Sequence, residues 1–178
     1  ILKYKMLDKI QGMSLLRFIN PSTGRVHSSF SQLGTSTSRF SSCIAKGQYI
    51  NMPLGDKLIE DISYGDIVYC YNNDNILTKS KVNKVFNNGV KNVITIKFKM
   101  FNKTLSLTCT PDHLIRTKNR SWVKANKLDI NNDILFSPFK TKLLSILPKG
   151  KLPVYDLEVE DYHNYIVNNV VVHNCSPN

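Results

Sequence analysis

The stretch VYDLEVEDYHNYIVNNVVVHN, residues 154–174, sets the fold. Its residues are mostly β-branched or aromatic, and they fall in short runs with Asn, Asp and Glu between them. The closing valine run reads as a buried strand. That strand stops at His173, Asn174 and Cys175, three side chains that contribute little to a strand. Two further polar residues interrupt the pattern. Asp156 alternates with Leu157 and by itself also fits a solvent-facing strand position. His163 by itself also fits a satisfied strand-end histidine.

Going back along the chain, the same texture extends to Cys43. QYINMP, DIVYCYN, KVNKVFNNG, NVITIKFKM, TLSLTC, HLIRT and DILFSPF are short apolar runs between Gly, Asn, Asp and Pro signals. Helical periodicity is weak there, and residues 55–62 and 122–128 each allow only a helical turn. The reading is an all-β domain of many short strands over 43–174. KTKLLSILPKGK, residues 140–151, reads as a short basic linker. Before Cys43 the texture differs. Residues 1–19 carry apolar positions with partly helical spacing, and Asn20 to Arg25 reads as a turn. The hydroxyl-rich run up to Ser42 has too few apolar residues to form a core alone. The first residue is not Met, so the sequence is expected to be part of something longer.

The 178 residues carry a net charge of +11. Residues 1–42 hold six Lys/Arg against one acid, whereas residues 43–174 hold eighteen against twelve. A polyanion partner is therefore expected for the first segment, and a solvated lysine-rich face for the rest. No apolar run reaches the length of a membrane span, and the start lacks a secretory signal. The four cysteines, Cys43, Cys70, Cys109 and Cys175, form no CxxC pair. Reduced thiols in an intracellular, reducing compartment are expected, each either a small buried hydrophobe or a nucleophile.

Three places carry groups able to do chemistry. Cys43 and Cys175 sit at the two edges of the β-rich region. Asn174 can attack its own carbonyl, form a succinimide and cleave the bond after it, given a positioned acid and base; His173 stands beside it. In TLSLTCTPDHLIRT, residues 104–117, Thr110 and His113 lie three apart across a proline turn, where an imidazole and a hydroxyl can face one peptide bond. Three of the four histidines lie within 43–174.

The chain from Cys43 to Asn174 resembles an intein of the Hedgehog/intein (HINT) fold. Four stretches match in order: Cys43-Ile-Ala-Lys-Gly with LIEDISYGDIVY, LTCTPDHLIRT, VYDLEVEDYHNYIVNN, and VVVHNC. Joining the flanks gives TSTSRFSS-CSPN. With INPSTGRVHSSFSQLG before it, this resembles a family A DNA polymerase. Ser38, Phe40 and Cys175 stand where that pattern has Gly, Leu and Ser. The resemblance implies an N-terminal host fragment over 1–42, a horseshoe-like splicing domain without endonuclease over 43–174, and resumed host sequence over 175–178. It also implies autocatalytic splicing that joins Ser42 to Cys175. Cys43 and Cys175 would be the nucleophiles, with His113 as proton donor and Thr110 supporting an oxyanion. Asp156 would link the thiol steps, His163 and His173 would assist, and Asn174 would be the cyclising residue. It implies no cofactor and no required metal, although zinc captured by Cys43 and Cys175 would inhibit. The expected substrate is the chain's own flanks, in a monomer; the host would bind DNA. A Hedgehog-type autoprocessing domain, a Cys-His hydrolase and a nucleic-acid-binding module are the alternatives. The terminal His-Asn-Cys and the resumed host sequence argue against the first, the thiols and Asn174 at the domain edges with rejoining flanks against the second, and the host fragment over 1–42 already accounts for the charge behind the third.

Overall fold

The computed structural model describes residues 42–174. The expected helical spacing in residues 1–19, and Cys175 with the residues after it, lie outside the described residues. Among the described residues eleven strands follow in chain order: β1 (Ile44–Ala45), β2 (Tyr49–Ile50), β3 (Lys57–Leu58), β4 (Ile67–Tyr71), β5 (Leu77–Met100), β6 (Lys103–Cys109), β7 (Leu114–Thr117), β8 (Ser121–Lys124), β9 (Thr141–Val159), β10 (Asn164–Val167) and β11 (Val170–His173). The all-β reading holds. The only helical pieces among the described residues are single 3-10 turns at Ile59–Asp61 and Ala125–Lys127, each inside a piece expected to allow a turn.

The strands form two sheets, ordered β4-β5-β6-β1-β9 and β3-β2-β10-β11-β7-β8. In the first, β9 also pairs with β5, so β5, β6, β1 and β9 close into a ring. β1 is its shortest member. Ile44 pairs with both Cys109 and Tyr155, which fixes the backbone next to Cys43 from two sides. In the second sheet β10 and β11 are buried along nearly their whole length. A strand covered on both faces has no polar face to present, which is why the valines run without alternation. Asn168 and Asn169, at φ 47° and 67°, turn β10 into β11. Two consecutive left-handed residues make the hairpin turn whose twist suits the flanking strands, and Asn tolerates that region well.

Three stretches differ from their sequence reading. KVNKVFNNG and NVITIKFKM are a single 24-residue strand, β5, rather than two strands joined by a turn. The Asn87-Asn88-Gly89 signal makes a register shift against β9 between Asn87 and Val90 instead of a reversal. Gly89 lies at φ +71°, and its N–H donates to Asn87 Oδ1 at 3.1 Å, so the residues that favour a turn here form a bulge. The expected linker over 140–151 belongs almost wholly to β9, which pairs with β5 from Met100↔Thr141 to Val93↔Gly150. Burial alternates there from Thr141 to Leu144, as a half-covered strand requires. Pro148, which has no N–H for the ladder, lies at the register shift between Val93 and Ile94. DILFSPF contributes a single bridge, Leu135 to Thr117, instead of a strand. Its backbone is held by Asp133, whose carboxylate accepts from Arg120 Nε at 2.7 Å and from the Asp129 N–H at 2.7 Å.

Candidate active site

Cys43 immediately precedes β1 and is fully buried. Ala45, Val93 and Val154 pack around it. Its backbone N–H donates to Thr110 Oγ1 at 2.8 Å, and its carbonyl accepts from the Thr110 N–H at 2.9 Å. The Thr110 hydroxyl also reaches that carbonyl at 3.4 Å. The TPDH turn therefore grips the Cys43 peptide. The Thr110 hydroxyl meets the nitrogen side of the Ser42–Cys43 bond.

The same turn carries His113, whose N–H donates to the Thr110 carbonyl at 3.1 Å. The imidazole is fully buried, and neither ring nitrogen completes a well-formed hydrogen bond among the described residues. Burial pulls its pKa down to about 4; the Asp112 carboxylate opposes this, His173 adds to it, and the Ser42 backbone opposes it. The ring is neutral near pH 7. It is thus a proton acceptor first, and a donor only after it has taken a proton. The register that pairs Val172 with Ile115, continued by two residues, sets His113 level with Asn174. The two motifs, sixty residues apart in sequence, meet because β7 and β11 are neighbours.

Asn174 is fully buried at the end of β11. Its N–H donates to the His163 carbonyl at 3.1 Å. With the carboxamide oriented so that its hydrogen bonds are satisfied, its nitrogen donates to that same carbonyl at 2.6 Å and its oxygen accepts from the Val159 N–H at 3.1 Å. His163 sits at φ 51° on an exposed turn and presents its backbone carbonyl to Asn174. His173 is half-buried, and its Nδ1 lies 2.5 Å from the Asn174 carbonyl oxygen, the acyl oxygen of the Asn174–Cys175 bond. Trp122 on β8 meets the His173 ring edge to face at 4.9 Å, and the Arg116 guanidinium lies over Trp122 and Phe136. An aromatic pair of this kind contributes about 1 kcal/mol. Trp122→Ala should therefore slow cleavage after Asn174 about fivefold, while Trp122→Phe keeps most of the rate. Single-turnover cleavage followed on gels measures both.

Asp156 on β9 is fully buried; its Oδ1 accepts from the Leu157 N–H at 2.8 Å and the Tyr165 hydroxyl at 3.1 Å. Its charge acts on Cys43. Burial pushes the Cys43 thiol up, the Asn88 carboxamide and Lys91 pull it back, and Asp156 pushes it further. Cys70, pushed up to about 11 by burial, and Cys109, raised further by full burial, are small apolar fillers. Cys175 lies outside the described residues, and no three His, Cys, Asp or Glu side chains among the described residues cluster as a metal site. Sequence reasoning missed Asn88, Lys91, Tyr165 and Trp122. The Asn87-Asn88-Gly89 signal, one of the breaks between apolar runs, is the one visible mark of them in the sequence.

The fold is the all-β HINT fold of the solved inteins. The DnaB intein from Synechocystis sp. PCC 6803 superposes with a TM-score of 0.68 at 24% identity, covering 75% of this chain and 99% of that one. The DnaX mini intein from Spirulina platensis gives a TM-score of 0.63 at 29% identity, covering 74% and 99%. A bacterial intein-like domain from Clostridium thermocellum gives 0.62 at 24% identity, covering 74% and 98%. No family model matches. DNA topoisomerase 1 of Pyrococcus furiosus is 68% identical over 28 residues, which is 16% of this chain and 2% of that protein's length.

Proposed function

We propose that residues 43–174 excise themselves and join Ser42 to Cys175. The observation that supports this best is that both ends of one domain come to one buried imidazole. The register of β7 against β11 sets His113 level with Asn174, while Thr110, in the same turn, holds the Cys43 nitrogen.

In this reading the Cys43 sulfur attacks the Ser42 carbonyl carbon. A C–S bond forms, the C–N bond breaks, and the thiol proton ends on the Cys43 nitrogen. Neutral His113 takes and returns that proton, while Thr110 holds the departing nitrogen. Cys175 then displaces the Cys43 sulfur and carries the first flank. Asp156, close enough to act on the Cys43 sulfur, disfavours a thiolate there and so bears on both thiol steps. Asn174 Nδ2, whose N–H the His163 carbonyl accepts, attacks its own backbone carbonyl carbon, polarised by His173; the C–N bond to Cys175 breaks, and the carboxamide proton ends on the Cys175 nitrogen. The Cys175 amine so released takes the acyl group from its own sulfur. No cofactor enters any step. The host is proposed to be a family A DNA polymerase, on the resemblance of the joined flanks; DNA would be that host's partner, not the insert's.

The test is to express the chain with longer flanks under reducing conditions and weigh the products. An excised domain spanning 43–174 and a longer ligated product support the reading. Unprocessed precursor alone contradicts it.

A further inference from the structure

The bulge in β5 points two donors at the first nucleophile. Asn88 Nδ2 lies 3.1 Å from Cys43 Sγ, and Lys91 Nζ lies 3.6 Å from it. Both residues are half-buried, whereas the sulfur is fully buried. In a regular β5, a stretch of this composition would hold its polar groups in the ladder or in water. Here the strand skips register between Asn87 and Val90, Gly89 takes a left-handed conformation, and Asn87 fixes the bend. The pairing on either side is tight: Asn87 faces Tyr155, and Tyr155 also pairs with Ile44, the residue after Cys43. The bend and the nucleophile are thus held by one strand, β9.

We propose that Asn88 and Lys91 are catalytic residues that stabilise the Cys43 thiolate each time it forms. This deepens the splicing reading and rests on it. A neutral thiol is a weak acceptor, so two donors aimed at one buried sulfur match its anion. The anion occurs twice: when the thiol proton has left before attack on Ser42, and when Cys175 displaces Cys43 from the thioester. Asn88 and Lys91 keep their protons in both steps. The proton lost by the sulfur ends on the Cys43 nitrogen in the first step. In the second, the proton lost by the Cys175 thiol returns to the Cys43 sulfur. Among the described residues the charged groups that act on this sulfur are Lys91 from β5 and Asp156 from β9. Burial and Asp156 both disfavour the thiolate, and the two donors oppose them, so losing either donor makes the thiolate rarer still.

The test uses the full chain with extended flanks and both Cys175→Ala and Asn174→Ala, which together leave only the first acyl shift to be read. Release of the first flank by dithiothreitol is timed from about pH 6 to pH 10. Asn88→Asp keeps the shape of the bulge but turns a donor into an anion. It should slow release at neutral pH about tenfold or more, and move the alkaline limb up by about one pH unit. Lys91→Met should act in the same direction, severalfold, and Lys91→Arg should recover most of that loss. Folding is checked separately, by cleavage after Asn174 in a Cys43→Ala background, which none of these substitutions should slow. Unchanged rates and pH profiles in Asn88→Asp and Lys91→Met would overturn the inference. So would equal loss of both cleavages, which marks a general folding effect. Absence of any thiol-released flank from the parent would instead overturn the splicing reading itself.

Discussion

Asn174→Ala should abolish release of the 43–174 segment from its C-terminal flank, to below detection on a gel. In the proposed mechanism the carboxamide nitrogen is the attacking atom, and Ala has none. Water cannot readily take its place, because the residue is fully buried. The N-terminal step should survive. Cys43, Thr110 and His113 do not rely on the Asn174 carboxamide, and the backbone bond from Asn174 to the His163 carbonyl remains. The structural cost is the Val159 N–H left without its side-chain acceptor, about 1–3 kcal/mol. Precursor should therefore accumulate together with thiol-released first flank. Gel densitometry with and without added thiol measures both quantities. Continued release after Asn174→Ala would remove this residue from the mechanism.

His113→Leu should slow the first acyl shift by about a hundredfold or more, the usual effect of removing a general acid–base. The same substitution should not lower the thermal midpoint. His113 is buried with both ring nitrogens lacking a well-formed hydrogen bond, and an apolar side chain of similar size removes that desolvation penalty. Loss of function without loss of stability is the signature of a group kept for chemistry. A pH effect accompanies it. The unfolded imidazole protonates near pH 6.5, while the folded one stays neutral down to about pH 4. In that window the unfolded chain binds the extra proton, so stability falls as pH falls, by up to about 3 kcal/mol across the whole window. His113→Leu should flatten that part of the denaturant-midpoint-against-pH curve. An unchanged slope would mean that the imidazole titrates normally in the folded protein.

Much of this site is legible in the chain because its chemistry lies at seams. Cys43 and Asn174 mark changes of texture, and His113, His163 and His173 accompany reactive groups. The alternation and valine runs also give the strand character of the second half of β9, of β10 and of β11 directly. What is not legible is long-range. Asn87-Asn88-Gly89 is locally a good turn, and only pairing of both its sides with β9 makes it a bulge. The basic stretch from Lys140 looks like a linker because half of a strand covered on one face is polar by necessity. Asn88 and Lys91 are surface-type residues, and no spacing in the sequence places them at a thiol 45 and 48 residues away. The side of the scissile bond on which Thr110 acts is likewise set by how the TPDH turn docks against β1, through two hydrogen bonds to Cys43.

The most direct measurement is a peptide mass map of the products across the expected seam. The chain, with longer flanks, is expressed under reducing conditions, the smaller products are separated, and the ligated band is digested. A peptide in which Ser42 is joined to Cys175 by an ordinary peptide bond, sequenced by fragmentation, is the predicted result. Flanks recovered only as separate fragments, or Ser42 found still attached to Cys43 in every product, would contradict the account.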